Sequence, residues 1–415
     1  MQVLVIGGGG REHALGWKIS QSPLLKKLWF APGNPGTATL GENVSLSLEA
    51  IPSFAQEHKI DLVVAGPEQP LVDGLADKLA AVDIPCFGPV SGAAQLEGSK
   101  AFSKQVMDAT GVPTAKYEVF TDFNKALDSA RNWSHPLVVK ADGLAAGKGV
   151  TICQSFHETE QALTEAMKDQ KFGPAGSKVV LEEFLVGTEV SFHIISDGIR
   201  YLPLVTAKDH KALLEGDKGP NTGGMGTYAP NPLIDDALAA RIQKEACEPI
   251  LDYMRDQGHA FRGVLFAGLM LTENGPKVLE YNVRFGDPET QVMLPLLDFD
   301  LLPVLYGAAM GQLPEGDFGW KGSATCVVLA AEGYPASARK GDPIEKVPQG
   351  NSQGQVFHAG TKLNDKGLLV TSGGRVMGVT AWGDSPENAR NQAYQMVEEI
   401  QFNGKYYRRD IGVAQ

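Results

Sequence analysis

The chain has 415 residues, which is too long for one ordinary hydrophobic core and suggests two to four domains. Hydrophobic residues make up 43% of it and charged residues 21%, as in an ordinary globular protein. The net charge of -12 argues against a general surface for nucleic acid or anionic membrane, although it leaves room for a local basic pocket.

The four cysteines also restrict the class of protein. They are widely scattered and form no CxxC pair, which argues against a zinc site and favours buried, reduced thiols: Cys86, Cys153, Cys247 and Cys326. The first residues, MQVLVIGGGG, carry no basic leader, and no apolar run approaches the roughly 20 residues of a membrane span. We therefore expect a cytoplasmic protein that binds neither membrane nor nucleic acid.

Residues 1–100 alternate short apolar strands with helical stretches. The strands QVLVI, KLWFA, DLVVAG and IPCFG show no polar alternation, and a helix follows the first of them from about Arg11. Buried strands separated by helices predict a parallel sheet covered on both faces, that is, a three-layer α/β domain.

The pattern changes after residue 100. Ser99 is a good N-cap for a helix that stops at Gly111. Two short helices and several strands then predict a small, hinged lobe over about 119–187, inside a domain that spans 101–321 and has a long helix near 235–257. Strands and a closing helix predict a C-terminal mixed α/β domain over 322–415. The fold class is thus α/β and α+β with several domains.

The first candidate site is the glycine-rich run GGGGREH, between the first strand and the first helix. Glycines there allow backbone amides to approach an anion at the helix N-terminus. Because Glu12 stands where the third glycine of GxGxxG belongs, a phosphate-bearing ligand is favoured over NAD. The loops 31–37 and 65–74 also follow strands, so all three should meet at one sheet edge. A simple tight turn is the alternative.

A second candidate is VVKADGLAAGKGV, residues 138–150. A strand presents Lys140, and a flexible loop leads to Lys148, but Gly149 follows that lysine, so the run is not a Walker loop. Mobile glycine amides and two lysines suit a triphosphate that must be covered while water is excluded. An ordinary surface hairpin is the alternative reading, although it would not need Lys140 inside an apolar run.

Two further segments carry weaker signals. In LEEFLVGTEVS, residues 181–191, peptide groups could meet an adenine edge while Glu189 reaches ribose hydroxyls, although acidic residues near a turn are usually solvated. Residues 207–230 hold Asp209, His210 and Lys211 in a long run without clear periodicity, which predicts a functional loop or else a disordered one. His210 by itself is a poor candidate for a catalytic base.

The most informative segment is VLEYNVRFGDPETQ, residues 278–291. Glu280 and Asn282 lie two residues apart on a predicted strand, so their side chains leave one face and offer the hard oxygens that Mg²⁺ takes. A solvated strand end is the alternative. An Asn274-Gly275 turn would place Leu269 opposite Glu280 and Ala267 opposite Asn282.

With these segments in this order, the chain resembles the ATP-grasp superfamily and, within it, the glycinamide ribonucleotide synthetase family. The matching runs are GGGGREHAL, GPEQPLVDGL, EGSKAFSK, VVKADGLAAGKGV, DHKALLEGDKGPNTGGMG and RFGDPETQ, and they cover essentially the whole chain. The resemblance implies ligation of glycine to 5-phosphoribosylamine in purine synthesis, with ATP as cosubstrate, Mg²⁺ or Mn²⁺ as metal, and glycyl phosphate as intermediate. It also implies a transient contact with the enzyme that supplies phosphoribosylamine.

The resemblance also implies a role for individual residues. The catalytic residues would be Arg284, Asp209 and Lys211, and the metal ligands Glu280 and Asn282. The nucleotide would be bound by Lys104, Lys140, Gly147, Lys148, Glu182, Phe184, Leu185 and Glu189. The other substrates would be bound by Gly9, Gly10, Gly33, Asn34, Gly66, Pro67, Glu68, Asn221, Gly223 and Asp287. Two positions depart from the family pattern: Gly8 replaces a small polar residue, and the strand before the metal pair carries no acid.

Three other functions compete with this interpretation. Another ATP-grasp carboxylate–amine ligase, or a carboxylase of purine synthesis, should lack the long loop that begins at Asp209. A silent nucleotide sensor would tend to lose the lysines and the metal pair, which this chain retains. A dehydrogenase is disfavoured by the broken dinucleotide fingerprint.

Overall fold

The N-terminal part of the computed structural model, which describes residues 1–145 and 149–413, is a parallel sheet with helices on both faces. Its elements are β1 Gln2–Gly7, α1 Gly10–Ile19, β2 Lys27–Pro32, β3 Glu42–Asn43, α2 Ile51–Glu57, β4 Leu62–Ala65, α3 Glu68–Val72, α4 Leu75–Ala80 and β5 Cys86–Phe87. All strands pair in parallel, in the order β3-β2-β1-β4-β5. Neighbouring residues of β1 enter different hydrophobic clusters, Leu4 and Ile6 on one side, Val3 and Val5 on the other. The predicted three-layer α/β domain is confirmed.

Two helices lead out of this domain: α5 Ser91–Gly98 and α6 Lys100–Thr110. Ser99 caps α6 as predicted, since its hydroxyl accepts a hydrogen bond from the Phe102 amide at 3.1 Å. The helix ends at Gly111, whose φ of 70° is the left-handed conformation that glycine adopts readily.

The small lobe that follows is a four-stranded antiparallel sheet covered by two helices. Its elements are β6 Tyr117–Phe120, α7 Phe123–Ala130, β7 Leu137–Ala141, β8 Val150–Cys153, α8 Phe156–Leu163 and β9 Val179–Glu183. The sheet order is β6-β9-β7-β8, and α7 and α8 share one apolar cluster with it. The predicted elements of the lobe are confirmed, and its hinge motion stays a prediction.

Residues 188–256 contain strands of three further sheets and one long helix. The strands are β10 Thr188–Asp197, β11 Tyr201–Pro203, β12 Lys208–Asp209, β13 Ala212–Leu214, β14 Lys218–Asn221 and β15 Gly226–Ala229. The expected long loop over 207–230 is therefore wrong: the segment folds into four short strands, and β13 and β14 form a hairpin. The predicted helix near 235–257 is confirmed as α9 Asp236–Ile242 and α10 Glu248–Asp256, joined by a π-helical turn.

The hairpin with the metal pair consists of β16 Arg262–Thr272 and β17 Gly275–Asn282, in a sheet of order β11-β10-β16-β17. Its predicted register is wrong. Thr272 pairs with Gly275, so the turn lies one residue earlier than expected, and a β-bulge then shifts the strand at Leu279. As a result Gly268 lies opposite Glu280, and Phe266 opposite Asn282. These neighbours carry no acid either.

α11 Glu289–Leu296 packs against the sheet of the C-terminal part, whereas α12 Leu301–Met310 packs against β10, β16 and β5. The remaining elements of the chain are β18 Ser323–Ala330, β19 Gly354–His358, β20 Thr361–Leu363, β21 Leu369–Thr371, β22 Arg375–Gly383 and α13 Pro386–Glu399. The sheet order is β12-β15-β18-β22-β19, so two strands from the 207–230 segment join it. Strands from two separate parts of the chain therefore pair in one sheet. The domain boundaries stay a prediction.

The described residues agree with two further expectations. All four cysteines are buried and free. No described helix combines the length and the apolar character that crossing a membrane requires.

A glycine in α1 offers a test of the packing between the first helix and the parallel sheet. An added Cβ at Gly16 would lie 2.3 Å from Cζ of Phe30, which is fully buried in β2. We expect Gly16→Ala to lower the free energy of unfolding by about 1–2 kcal/mol, because overpacking outweighs the gain in helix propensity. Urea unfolding followed by circular dichroism measures this change.

The double variant Gly16→Ala/Phe30→Leu is the matched control. Because the shorter side chain removes the clash, its loss of stability should be smaller than the sum of the two single losses. Additive losses would show that the helix and the strand are not in tight contact at this point.

Candidate functional site

Two adjoining cavities lie on either side of the end of β17. The first has a volume of about 400 Å³ and opens toward the N-terminal domain, and the second has a volume of about 290 Å³ and lies below the small lobe. Glu280, Asn282 and Arg284 line both cavities. The two cavities therefore form one cleft, with the predicted metal pair at their junction.

A buried cluster of lysines and one glutamate forms the wall between α6 and the small lobe. The Glu182 carboxylate lies 3.2 Å from the Lys104 ammonium and 2.9 Å from the Lys140 ammonium. Burial lowers the pKa of Lys104 to about 8, against the opposing effect of Glu182. Lys140 also donates to the Leu279 carbonyl at 3.2 Å, so the β-bulge supplies an acceptor to this wall. The two cations are thus held in place beside the cleft.

The second cavity has an apolar side. Val138 and Ile152 of the small lobe, Phe184 and Leu185 after β9, and Met270 of β16 line it. Ile152 and Phe184 keep 42% and 37% of their surface exposed, which is high for large apolar side chains. Such a slot fits a flat aromatic group such as a nucleobase. Glu189 lies on the same cavity and is paired with Lys211.

The chemistry of Glu280 and Asn282 fits a hard divalent cation. Burial opposes ionisation of Glu280, but the charges of Lys211, Lys140, Lys100 and Arg284 together outweigh it and hold its pKa below the usual range. Within residues 1–145 and 149–413, no group of three His, Cys, Asp or Glu side chains could hold a metal. The two oxygens would therefore form part of a shell that phosphate and water complete, as Mg²⁺ sites commonly do.

Arg284 lies among acidic groups from different elements. Its guanidinium is 3.3 Å from Glu68 of α3 and 2.9 Å from Glu97 of α5, and it donates to the Asn282 amide oxygen at 3.1 Å. Burial raises the pKa of Glu97 to about 7, and Arg284 opposes that rise. Arg284 is therefore fixed in orientation, and one of its contacts positions a metal-pair side chain.

The 207–230 segment brings four predicted residues to the second cavity: Asp209, Lys211, Asn221 and Gly223. Asp209 is half-buried and lines the second cavity, and its inaccessible Oδ1 atom has no hydrogen-bond partner among the described residues. Desolvation and the nearby Glu289 raise the pKa of Asp209 well above the usual range. A carboxylate that lines a cavity and has a raised pKa is a candidate acceptor for an ammonium group or a proton.

Some predicted residues of the N-terminal loops line the cleft and others support it. Pro67 and Glu68 line the first cavity, and Asp287 lines both cavities. Asn34 donates to the Gly8 carbonyl at 2.9 Å and to the His358 carbonyl at 2.8 Å, which ties neighbouring loops together. The residues that do not line either cavity are Gly9, Gly10, Gly33, Asn34 and Gly66.

The glycines of the first loop make room for Glu12. Its carboxylate accepts a hydrogen bond from the Gly9 amide at 2.6 Å, and an added Cβ at Gly66 would lie 2.1 Å from its Oε1 atom. Glu12 thus occupies part of the helix N-terminus where a ligand anion was expected. Two other predicted residues, Gly147 and Lys148, lie outside the described residues.

The structure adds residues to the cleft that sequence reasoning missed. They are Arg11, Glu97, Lys100, Ser103 and Arg375. The first four lie in or beside the motifs GREH and EGSK, so those motifs contained a usable signal. Arg375 donates to the Asp287 carbonyl at 2.7 Å from the start of β22. No local pattern could have indicated that contact, because 88 residues separate the two.

The geometry defines a class of protein before any relative is considered. An antiparallel sheet and a small lobe enclose a slot with an apolar part, a cationic part and the oxygens of Glu280 and Asn282, as in ATP-grasp enzymes. Models of the phosphoribosylglycinamide synthetase family match residues 1–97 as its N domain, 98–290 as its ATP-grasp domain and 324–414 as its C domain. The chain belongs to this family.

Individual relatives agree with the family models. The chain is 50% identical over 416 residues to a phosphoribosylamine–glycine ligase of Agrobacterium fabrum, covering 99% of this chain and 98% of that protein. It is 46% identical over 418 residues to the enzyme of that name from Caldanaerobacter subterraneus, covering all of both chains.

Solved structures are similar over nearly the whole chain. The crystal structure of phosphoribosylamine–glycine ligase from Thermotoga maritima superposes with a TM-score of 0.89 at 35% identity, covering 99% of this chain and 100% of that one. A biotin carboxylase domain from Hydrogenobacter thermophilus gives 0.75 at 19% identity, covering 98% and 91% of the two chains, and at that identity shares only the fold.

The metal pair provides a direct test of the site. We expect Glu280→Ala to lower the turnover rate by roughly 100-fold or more, because one of two protein oxygens for the cation is lost. Steady-state assays over a range of Mg²⁺ concentrations measure the loss. Folding should be unchanged, since the Glu280 side chain is half-buried and lines the open cleft.

Glu273→Ala is a matched control on the same hairpin, because Glu273 is exposed at the turn. It should retain the wild-type rate. A Glu280→Ala protein with near-normal turnover would disprove the metal assignment.

Proposed function

We propose that this chain joins glycine to 5-phosphoribosylamine in purine biosynthesis, cleaving ATP to ADP and phosphate through a glycyl phosphate intermediate. The observation that carries the proposal is the position of Glu280 and Asn282, at the junction between a cavity with an apolar slot and a second, cationic cavity. A base in the apolar slot of the second cavity, with small substrates in the first cavity and beside Asp209 and Lys211, would bring the γ-phosphate to that junction.

The nucleotide end is supported by the second cavity. Phe184, Leu185 and Ile152 form the apolar slot for the base, and Glu189 lies within the same cavity for the ribose hydroxyls. Lys140 and Lys104 would neutralise phosphate charge from the buried wall. Lys148 stays a prediction from the family resemblance.

The chemistry needs position and charge more than it needs a nucleophilic side chain. An oxygen of the glycine carboxylate attacks the γ-phosphorus, and the bond to the β,γ-bridging oxygen breaks to release ADP. The amine of phosphoribosylamine then attacks the acyl carbon, loses a proton, and expels phosphate, which carries one former carboxylate oxygen. A bound Mg²⁺ or Mn²⁺ would supply additional neutralisation of phosphate charge at Glu280 and Asn282.

Arg284 would orient the reacting carboxylate or phosphoryl group. Its contacts with Glu68 and Glu97 keep the guanidinium plane fixed, so an incoming anion meets a preorganised donor. Asp209, which lines the second cavity, would accept the substrate ammonium or the proton released by the amine.

Several parts of the proposal come from the sequence alone. They are the cytoplasmic location, the choice between Mg²⁺ and Mn²⁺, and the transient contact with the enzyme that supplies phosphoribosylamine. They stay predictions.

Isotope transfer tests the reaction and its intermediate together. With glycine labelled by ¹⁸O in its carboxylate, ATP and phosphoribosylamine, we expect one labelled oxygen in each phosphate released, because phosphate departs with a carboxylate oxygen. Mass spectrometry of the phosphate measures the label. Bicarbonate in place of glycine is the control, and it should support no ADP formation.

Two results would contradict the proposal. Unlabelled phosphate formed together with the amide product would exclude an acyl phosphate. ADP formation that depends on bicarbonate would instead identify a carboxylase of the same superfamily.

A substitution tests the role of Arg284. We expect Arg284→Lys to lower kcat/KM by roughly 10- to 100-fold, because lysine keeps the charge but loses the planar fork that contacts Glu68, Glu97 and Asn282 together. Steady-state kinetics with glycine as the varied substrate measure the loss. A lysine variant at the full wild-type rate would show that a single charge suffices at this position.

A further inference from the structure

The hairpin formed by β13 and β14 presents substrate-side residues to the cleft. Lys211 directly precedes it. Asn221 ends its second strand, and Thr222 and Gly223 follow. All four residues line the second cavity. The Thr222 amide and hydroxyl each donate to the Lys211 carbonyl at 2.8 Å, so the two arms are tied together at the cleft. The orientation of the hairpin therefore sets the positions of these groups.

The outer part of this hairpin is held by residues 406–410 near the end of the chain, which we call the C-terminal clamp. The Tyr406 hydroxyl donates to the Leu213 carbonyl at 3.0 Å. Arg408 donates through Nη1 to the Ala212 carbonyl at 3.0 Å and to the Asp217 carboxylate at 2.8 Å. The first strand and the turn of the hairpin are thus in contact with the clamp.

Backbone amides of the hairpin and of the clamp also donate hydrogen bonds to acidic side chains of the other segment. The Gly216 amide in the hairpin turn donates to the Asp410 carboxylate at 2.8 Å, and the Arg409 amide donates to Glu215 at 3.2 Å. Five hydrogen bonds therefore join the first strand and the turn of the hairpin to a segment almost 200 residues later in the chain. A hairpin this short gains most of its order from such tertiary contacts.

Arg408 is the centre of the clamp. Its side chain is 0% exposed, and its guanidinium forms a two-pronged pair with Asp410 at 2.8 and 2.7 Å. Burial opposes the charge of Asp410, but hydrogen bonds from Arg408 and from the Gly216 amide outweigh it and hold its pKa at about 2. The pair is therefore charged throughout the neutral range, and its geometry is fixed by two parallel hydrogen bonds.

The clamp is itself attached to the C-terminal sheet and helix. Tyr406 exchanges backbone hydrogen bonds with Ala330 at the end of β18, at 2.8 and 3.0 Å. The Tyr394 hydroxyl of α13 donates to the Arg408 carbonyl at 2.7 Å. The C-terminal domain thus provides a rigid base, and the clamp transmits its position to the hairpin.

We propose that Arg408 is a positioning residue for the amino-acid and amine substrates, acting through the hairpin on Lys211 and Asn221. The inference rests on the proposed function and extends it to a segment that does not line the cleft. The lysine and apolar walls of the nucleotide end belong to the small lobe, α6, β16 and β17, and the hairpin meets that end at the pair between Lys211 and Glu189. The clamp should therefore affect substrate binding more than nucleotide binding.

The test is the variant Arg408→Met in the full-length enzyme. Because charge-assisted hydrogen bonds to the hairpin are lost, we expect KM for glycine or for phosphoribosylamine to rise roughly tenfold or more. KM for ATP should stay within roughly twofold of the wild-type value. The difference between these KM values separates positioning from a general loss of structure. A general loss of structure would change the KM values for all three substrates, or would lower only the fraction of active enzyme.

Two further variants serve as controls. Arg409→Met is matched in sequence position, but the Arg409 guanidinium lies over the Tyr407 ring at 5.3 Å and leaves the hairpin contact to its backbone amide. It should keep wild-type constants. Arg408→Lys retains the charge without the fork and should lie between Arg408→Met and wild type.

Asp217→Asn tests the same contact from the hairpin side, and it covers the case in which Arg408→Met does not fold. Asp217 is about half exposed and has a φ of 55°, a conformation that asparagine adopts readily. It should raise the same substrate KM, and its effect should not add to that of Arg408→Met.

Unchanged substrate constants in a folded Arg408→Met or Asp217→Asn protein would overturn the proposal, and so would an equal rise in KM for ATP. Failure of the proposed function would be seen separately, as wild-type enzyme that forms no ADP in response to glycine.

Discussion

The cleft depends above all on how Arg284 is held between Glu68 and Glu97. The arginine follows the strand with the metal pair, while the two glutamates come from a helix of the N-terminal domain and from the helix that leaves it. A buried guanidinium is costly without partners, so the three elements must meet for any of them to be stable in this arrangement. The same contact orients Asn282, and it thereby couples domain packing to the geometry of the metal pair.

A second constraint is the irregularity in β17. A regular strand would alternate its side chains without interruption, but the bulge at Leu279 shifts the register just before Glu280. The displaced Leu279 carbonyl then accepts a hydrogen bond from Lys140 in the small lobe. Gly268, opposite Glu280, leaves space beside the carboxylate. Backbone irregularity at this point therefore links the lobe to the site and leaves the carboxylate accessible.

Much of this could be predicted from the sequence, where the signals are local. Apolar runs and helix caps predicted the parallel sheet, the Ser99 cap and the long helix, because those patterns follow from the period of each element. The predicted register of β16 and β17 was wrong, since the turn lies one residue earlier than expected and a bulge then shifts the pairing again. The strands within 207–230 were missed because each is only two to four residues long, and one of them, β15, pairs with the distant β18. Arg375 and Arg408 had no local signal for the same reason: their partners lie far away in the chain.

The sheet of order β12-β15-β18-β22-β19 limits how the chain could be divided. Its strands β12 and β15 precede the remaining members by about a hundred residues, and β15 covers one side of β18. A fragment that began near residue 322 would lack both, and would display the backbone amides and carbonyls of an eight-residue apolar strand to solvent. Such an edge recruits other chains. The last hundred residues therefore depend on β12 and β15, from an earlier part of the chain, for a complete sheet.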